Sequence, residues 1–203
     1  MQTLGLSEEP RPSDGRLKSI FWPTVQNAWD VDYLGRQGLW ICLLIAGFQV
    51  VVAAITGNPI VIVSGIAEAL VFVVGGLGVR ESNWPAAAMV FGIFLLNLLY
   101  SVAQGQPPGI LMIIAAGLLL SNFRAAFLAS KWRPAAADED RPTRFNETLA
   151  DKLADQLPAK AWPALRIPFF VLASLLLLLS VLGLAFAYMH LFGVLPHAGT
   201  AQP

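Results

Sequence analysis

Long apolar stretches separated by short polar links fill most of the chain after residue 37. Crossing ~30 Å of hydrocarbon takes a helix of about 20 apolar residues. None of the stretches alternates in polarity as the strands of a membrane barrel do, so helices are the expected spanning element. The sequence therefore predicts an all-α membrane protein with five transmembrane helices, which are Gly38–Thr56, Ile60–Val79, Pro85–Val102, Gly109–Leu128 and Ile167–Leu195.

The links between the first four predicted spans are short. They are GNP at residues 57–59, RESNW at residues 80–84 and a Gln/Pro/Gly loop that ends at Pro108. Links of this length place consecutive helices side by side in antiparallel directions. We therefore expect an up-down four-helix transmembrane bundle over residues 38–128, with a fifth C-terminal transmembrane helix over residues 167–195.

The N-terminal segment, residues 1–37, carries several charges and no long apolar stretch. Apolar residues recur there at every fourth position, at Phe21, Val25, Trp29 and Tyr33. This spacing gives one apolar stripe on a helix. We expect the segment to be cytoplasmic and to contain an amphipathic helix that lies on the membrane surface.

A second polar segment, residues 129–166, separates the fourth and fifth spans. Residues 135–143 have the composition of a flexible linker, and residues 144–157 form an amphipathic pattern. That pattern places Phe145, Leu149, Leu153 and Leu157 on one face and Glu147, Asp151 and Asp155 largely on the other. We expect this cytoplasmic helix to pack on its own bundle. The alternatives are that it binds the lipid bilayer, or a membrane or cytoplasmic protein partner through residues 144–157.

The charges of this segment bear on the lipid alternative. Residues 138–160 contain six acidic and four basic side chains. Recognition of acidic lipids takes a cluster of Lys and Arg without such compensation. The segment is therefore not expected to be a polybasic lipid sensor.

Composition agrees with the membrane class, because only 13% of residues are charged and the mean hydropathy is +0.64. The placement of the 13 Lys and Arg adds an orientation, since residues 57–59, 101–108 and 196–203 contain none of them. Lys and Arg concentrate on the cytoplasmic side of membrane proteins. We predict a multi-pass protein of the bacterial inner (plasma) membrane with a cytoplasmic N-terminus and an external tail at residues 196–203.

All six tryptophans lie beside the cytoplasmic ends of the predicted spans. They are Trp22, Trp29, Trp40, Trp84, Trp132 and Trp162. Trp favours the headgroup region, where its ring is partly apolar and its N–H stays hydrated. We expect these side chains to anchor helices at the membrane surface.

Glu68 is the one acid inside the predicted second span. The helical rise places Glu68 and Gln49 about 16 Å, and Asn97 about 18 Å, from the cytoplasmic ends of their spans. Three polar side chains on three helices thus share one level. The sequence predicts an intramembrane polar layer formed by Gln49, Glu68 and Asn97.

This layer has two interpretations, because an unpaired acid at mid-membrane costs about 3 kcal/mol. In the first, Glu68 stays protonated and donates to Gln49 or Asn97, so that the layer clamps helices together. In the second, water reaches Glu68, and the layer is a site for a proton, a cation or a polar solute. The first is favoured because only one ionisable side chain lies deep in the predicted bundle.

A second polar group lies near the cytoplasmic end of the fourth span and consists of Ser121, Asn122 and Arg124. Arg124 is expected about 10 Å below Glu68. A long cationic side chain extends towards the headgroups rather than towards mid-membrane. We predict a polar cluster at the inner mouth of the bundle and no direct pair between Glu68 and Arg124.

Sequence motifs for phosphate, metal or nucleic-acid binding are incomplete in this chain. The stretch GGLGVRES at residues 75–82 lacks the Gly-Lys-Ser/Thr end of a phosphate loop. His190 and His197 have no further metal-binding side chain nearby. Nucleic-acid binding would need a basic stripe that the chain lacks. We expect no catalytic, cofactor-binding, metal-binding or nucleic-acid-binding site.

Two short stretches carry a family resemblance. GLGVRESNWPAAA at residues 76–88 and SNFRAAF at residues 121–127 resemble a pattern of uncharacterised small bacterial four-helix membrane proteins. The resemblance covers about spans two to four. It implies the four-helix fold, and it implies no activity, cofactor or partner.

The sequence thus leaves function at the level of a hypothesis. The first hypothesis is a non-enzymatic membrane component that acts through partners or through self-association as a homo-oligomer. The alternative is a small channel or a proton- or cation-coupled carrier that uses Glu68. An intramembrane enzyme is the third, and no catalytic pair in the sequence favours it.

Overall fold

The computed structural model describes residues 21–25, 28–131 and 149–191. In these residues the fold is helical without a strand, and five helices are long and apolar enough to cross a membrane. The all-α class and five helices that could span a membrane are therefore confirmed, and the fold is compatible with a multi-pass membrane protein. The helices are α1 (Ala28–Thr56), α2 (Pro59–Arg80), α3 (Trp84–Ala103), α4 (Ile110–Ala129) and α5 (Leu157–Leu191), and α5 follows a helical turn at Leu149–Asp151 and a π-helical turn at Lys152–Gln156.

The links between α1, α2 and α3 are tight because each combines a backbone turn with a helix cap. Gly57 adopts a φ of 66°, which glycine reaches without a steric penalty. The Asn58 side chain then accepts a hydrogen bond from the Ile60 N–H at 2.9 Å. In the next link Ser82 has a φ of 55°, and Asn83 accepts from the Ala86 N–H at 3.1 Å. These caps satisfy N–H groups that a helix start leaves open.

Small residues bring α1 and α2 into close contact along most of their length. A β-carbon added to Gly76 would lie 2.9 Å from Cys42 Cβ, and one added to Gly65 would lie 2.9 Å from Ala53 Cβ. Because residue 76 pairs with residue 42 while residue 65 pairs with residue 53, the two helices run in opposite directions. Further helix pairs in contact are α1 with α4, α2 with α3, α3 with α4, and α5 with both α2 and α3.

The helix α5 packs where α2 exposes two glycines. A β-carbon on Gly75 would meet Phe169 at 2.9 Å, and one on Gly78 would meet Trp162 at 2.5 Å. Trp162 is buried and also packs edge-on against Phe169 at 5.5 Å between ring centroids. The prediction that Trp162 anchors a helix at the membrane surface is therefore wrong, because its ring fills the space that Gly78 leaves.

The buried core is concentrated at one end of the molecule. We call the end that contains Arg80 the Arg80 end and the opposite end, which contains Gly57, the Gly57 end. In α3 no buried residue follows Phe94, and in α4 none precedes Leu119. In the half towards the Gly57 end, contact between α1 and α2 continues through Ala53 and Gly65. The described core is therefore close-packed towards the Arg80 end and looser towards the Gly57 end.

Two helix boundaries differ from those predicted. α1 begins at Ala28 rather than Gly38, and α5 begins at Leu157 rather than Ile167. Both extensions mix charged residues with apolar ones, AWDVDYLGRQ in α1 and LPAKAWPALR in α5, so the apolar run that hydropathy detects begins later than the helix. α5 also continues through Pro163 and Pro168, which sequence rules treat as helix ends. Its predicted end at Leu195 and the tail at residues 196–203 lie outside the described residues.

The predicted interfacial helix is not formed as one unit. Residues 23–25 are not helical, and Trp29 and Tyr33 belong to α1, where both are exposed. Pro23 explains the break, since the residue before a proline is disfavoured in helical conformation. Phe21 instead lies against α4, where a β-carbon on Gly117 would be 3.0 Å from its ring. Residues 1–20 lie outside the described residues.

The described part of the second amphipathic segment presents a different face to the bundle than predicted. Asp155, expected on the polar outer face, is buried together with Ala154. Leu153 and Leu157, expected on the packing face, are exposed. The π-helical turn at Lys152–Gln156 accounts for the change, because its wider turn rotates the residues after it relative to an α-helix. Residues 132–148, which include Trp132, Phe145 and Glu147, lie outside the described residues.

Candidate functional site

The three residues of the predicted intramembrane layer come together around one carboxyl oxygen. Gln49 Nε2 on α1 donates to Glu68 Oε2 at 2.7 Å, and Asn97 Nδ2 on α3 donates to the same oxygen at 3.1 Å. We call this group, Gln49, Glu68 and Asn97, the Glu68 layer. It links α1, α2 and α3 with two hydrogen bonds at mid-span.

The direction of these hydrogen bonds differs from the expected one. The two amides donate and Glu68 accepts, whereas a protonated Glu68 was expected to donate. An oxygen that accepts two N–H bonds is a poor place for a proton, so any proton on Glu68 sits on Oε1. The clamp between helices thus forms whether or not Glu68 is charged.

The second carboxyl oxygen is not used by the clamp. Oε1 of Glu68 accepts no hydrogen bond from the described residues, and the side chain is only partly buried. Oε1 is also not one of the buried polar atoms that lack a partner, which among the described side chains are Gln37 Oε1, Ser121 Oγ and Asn122 Oδ1. Oε1 therefore stays accessible and is free to bind a ligand atom.

Between the Glu68 layer and the Arg80 end, the bundle is filled by apolar side chains. Phe72 lies one turn closer to the Arg80 end on α2, is fully buried, and meets Phe94 edge-on at 6.3 Å between ring centroids. Ile93 and Leu119 are buried in the same core cluster. The described core between Glu68 and Arg80 contains no acidic or basic side chain.

A second polar centre lies at the Arg80 end and was not predicted. Arg80 is 2% exposed, and its guanidinium uses three nitrogen atoms. Nη1 donates to Asp32 Oδ1 at 2.6 Å, Nη2 to Asp155 Oδ1 at 2.7 Å, and Nε to the Ala154 carbonyl oxygen at 2.8 Å. We call Arg80, Asp32, Ala154 and Asp155 the Arg80 clasp. It joins the start of α1, the end of α2 and the π-helical turn before α5.

The chemistry of arginine suits this position. A planar guanidinium presents donors in fixed directions and can serve several acceptors at once, which an ammonium group cannot do in the same geometry. A buried charge is tolerated when it is paired and hydrogen-bonded. Asp32 is half-buried at 30% exposure, whereas Asp155 is 4% exposed, so the Asp155 contact is the more strongly shielded from water.

The predicted inner-mouth cluster is divided between two faces of α4. Ser121 and Asn122 are buried in the bundle, and Asn122 lies against α1, where a β-carbon on Gly38 would be 2.8 Å from Asn122 Cγ. Arg124 points elsewhere: Nη1 donates to the Pro23 carbonyl oxygen at 2.9 Å, and its guanidinium lies 4.6 Å from the Trp22 ring centroid. Arg124 lies about 200° around the helix axis from Asn122, and its described polar contacts go to residues 22 and 23 rather than to Ser121 or Asn122. The structure thus does not bring Arg124 to the other two.

Sequence reasoning missed the Arg80 clasp for identifiable reasons. Arg80 was used only as a basic residue that marks the membrane face, and Asp155 was assigned to the outer face of a regular α-helix. An arginine on the last turn of a span, next to acids at the flanks of two other spans, was the available signal. The π-helical turn that directs Ala154 and Asp155 inward has no such signal.

Comparison of the chain with protein-family models, with curated proteins and with solved structures finds no match. The function therefore has to be inferred from the two polar centres and from the surfaces that they position. The described residues contain no group of three or more His, Cys, Asp or Glu side chains that could hold a metal ion.

Proposed function

We propose that the protein is a non-enzymatic component of the bacterial inner membrane that acts through a protein partner. In this proposal α1 to α4 form an up-down bundle, the N-terminus is cytoplasmic, the C-terminus is external, and the Arg80 end faces the cytoplasm. The contacts of α1 with α2 and α4, and of α3 with the same two helices, support the bundle. The clustering of Lys and Arg on one side supports the orientation.

The observation that carries the proposal is the surface next to the Arg80 clasp. The clasp holds Ala154 and Asp155 against the bundle. Leu149, Leu153 and Leu157 then remain 74%, 41% and 48% exposed on the same short segment. We call these three residues the leucine face. A segment fixed by a buried ion pair presents its exposed apolar side chains in a defined orientation, as a docking surface requires.

The chemistry of the leucine face indicates an apolar helix as its partner. Three exposed leucines on one short helical segment are apolar anchors of the kind that a helix-in-groove or coiled-coil contact uses. Lys152 and Lys160 are exposed near the leucine face, and they would pair with acids on the rim of the partner. A second copy of this chain and the lipid headgroup region are the competing occupants.

Site-specific photocrosslinking in intact cells tests this proposal. A photoreactive residue at Leu153 is expected to give a discrete protein adduct, and the matched position Phe48, which is 70% exposed on α1, is expected to give none. The variant Arg80→Gln should abolish the Leu153 adduct, because it releases the segment. An adduct of twice the chain mass would identify a second copy. Crosslinks to lipid alone from all three leucine positions would contradict the proposal.

A small channel or a proton- or cation-coupled carrier remains the second candidate, and one observation favours it. Glu68 is partly exposed inside the span, and its Oε1 accepts no hydrogen bond from described residues. The apolar core between Glu68 and Arg80 opposes a continuous path in this conformation. Loss of cation or proton flux in proteoliposomes for Glu68→Gln, with unchanged stability, would favour the carrier. Equal flux from both proteins and from empty liposomes would exclude it.

A further inference from the structure

The direction of Glu68 inside the bundle follows from its neighbours on α2. Gly65 and Gly76 mark the side of α2 that contacts α1, and Gly75 marks the side that contacts Val90 of α3. Glu68 lies between these two sides on the helical wheel, and it bonds to α1 and α3 at once. Its carboxyl group therefore points into the space between the helices and not towards the surrounding lipid.

The residues on the two sides of Glu68 differ in how deeply they are buried. Towards the Arg80 end, Phe72 and Phe94 pack edge-on across it, and the core around them is buried. Towards the Gly57 end, neither the last turns of α3 after Phe94 nor the first turns of α4 before Leu119 contain a buried residue. The side chains of that half which pack against the core, such as Leu98 and Met112, are only partly buried, so the less tightly packed approach to Glu68 lies on the Gly57 side.

The atoms available at this position are oxygens. The clamp uses Glu68 Oε2 and the two amide nitrogens, which leaves Glu68 Oε1 and the carbonyl oxygens of Gln49 and Asn97. No described residue donates to these three oxygens, and none of them is a buried atom without a partner. A carboxylate oxygen and neutral carbonyl oxygens are the kinds of ligand that a hard cation takes, and all three belong to side chains held together by the clamp.

We propose that the Glu68 layer is a binding site for a monovalent metal cation, which enters from the Gly57 end and is stopped by Phe72 and Phe94. The charge of the site selects this class of ligand, because Glu68 supplies one negative charge and its neighbours in the layer are neutral amides. Divalent cations are usually held by several carboxylates, and the described residues contain no group of three acids or other metal-binding side chains. The proposal goes beyond the partner-binding function and does not depend on it.

The expected consequence is that the cation stabilises the fold. A ligand bound between α1, α2 and α3 stabilises the state in which these helices are together. At ten times the dissociation constant the midpoint of thermal unfolding should rise by about 3–5 °C. The rise should saturate with concentration, whereas a general salt effect should not.

The test uses the purified full chain in lipid nanodiscs, with unfolding followed by tryptophan fluorescence. NaCl, KCl and LiCl are each titrated against N-methylglucamine chloride at constant ionic strength. At least one metal ion should raise the midpoint in a saturable manner for the wild type and for Glu81→Gln, a matched substitution just beyond α2. Glu68→Gln should lose the rise, while its side-chain oxygen still accepts both amide bonds. Glu68→Asp should bind the same ion more weakly.

Three results would overturn the site. They are no saturable rise with any of the three ions in the wild type, an unchanged rise in Glu68→Gln, and a midpoint that responds to pH alone. The first result needs no variant, so the proposal stays testable even if Glu68→Gln fails to fold. None of the three bears on crosslinking at Leu153, so the failure of this site and the failure of the partner-binding function are distinguishable.

Discussion

Arg80 is the residue whose surroundings depend most on the rest of the chain. It is 2% exposed, and its partners come from residue 32 and from residues 154–155, which are distant in sequence. A buried arginine cannot lose its proton, so its charge has to be balanced where it lies. The carboxylates of Asp32 and Asp155 balance the charge, and the carbonyl oxygens of Asp32 and Ala154 accept further hydrogen bonds from the guanidinium.

Removing the Arg80 guanidinium should therefore destabilise the protein strongly. We expect Arg80→Gln to lower the free energy of unfolding by about 3–5 kcal/mol, because the buried carboxylate of Asp155 loses its counter-charge. Arg80→Lys should recover little, since an ammonium group cannot reach three acceptors. Chemical unfolding in detergent micelles measures both.

The control for Arg80 is Arg124, which also makes a described hydrogen bond but is only partly buried. Arg124→Gln should cost about 1 kcal/mol through the loss of contacts to Pro23 and Trp22. Equal losses of unfolding free energy for Arg80→Gln and Arg124→Gln would show that the buried ion pairs of Arg80 add no stability beyond that of a partly buried arginine.

Glycine substitutions test the packing of α5 at single positions. In Gly78→Ala the new methyl group would lie 2.5 Å from Trp162 and 2.7 Å from Ala86, so we expect a loss of about 1–3 kcal/mol. Gly47→Ala is the matched change, since nothing lies within 4 Å of its added carbon, and it should be neutral or slightly stabilising. The same unfolding assay compares them, and a neutral Gly78→Ala would contradict the described contact between α2 and α5.

At the scale of single residues, hydropathy and the helical rise placed Gln49, Glu68 and Asn97 at a similar depth in the membrane. Their meeting depended only on regular helices of similar length, which is why simple counting along each span was enough. Counting could not reveal which atoms donate. It also could not show that Arg124 contacts Pro23 and Trp22, because that depends on where the segment before α1 packs.

Among the helices, α1 and α2 pack most closely. The Glu68 layer connects α3 to this pair through hydrogen bonds. Each interhelical hydrogen bond in a membrane contributes around 1 kcal/mol. The two bonds share one oxygen, so their contributions should depend on each other.

A double-mutant cycle measures this dependence. Gln49→Leu and Asn97→Leu should each lower the free energy of unfolding by about 1 kcal/mol. Together they should cost more than the sum, because the last N–H donor to a partly buried carboxyl group is then removed. Strictly additive losses would show that the two amides act independently and that Glu68 has other partners.

For the segment before α5, the sequence predicted the helical structure but not the face that packs on the bundle. Its amphipathic pattern correctly indicated a helical segment from Leu149 onward, but a regular 3.6-residue period assigned the wrong face to the bundle. The π-helical turn at Lys152–Gln156 places Ala154 and Asp155 inward instead. A local wide turn of this kind is stabilised by its tertiary contacts, here those of Arg80, and not by local sequence preference.

At the scale of the whole molecule, the two polar centres lie in different halves and are separated by apolar packing. The Arg80 clasp closes the tightly packed half, and the Glu68 layer borders the loosely packed half. The number of spans followed from hydropathy alone, since lipid leaves few alternatives to a helix. Hydropathy did not predict the uneven packing of the two halves, because that packing depends on which apolar residues face each other.

The proposed orientation gives a prediction for reporter fusions along the chain. A reporter enzyme that is active only outside the cytoplasm should be active when fused after Pro203, because five spans place the two ends on opposite sides. A fusion within the link at Gly57 should also be active, and one at Glu81 should not. Activity of the Pro203 fusion only in a cytoplasmic reporter would contradict the five-span topology.

The central claim is that the Glu68 side of the bundle is open to the external medium while the clasped segment lies in the cytoplasm. It is tested most directly by labelling two single-cysteine variants, Ser64→Cys and Lys152→Cys, in a Cys42→Ser background with a membrane-impermeant thiol reagent. Ser64 lies one turn from Glu68 towards the Gly57 end, and Lys152 is exposed beside the clasp. In intact cells we expect labelling at position 64 and none at position 152 until the membrane is opened. Labelling at position 152 in intact cells, or none at position 64, would contradict the account.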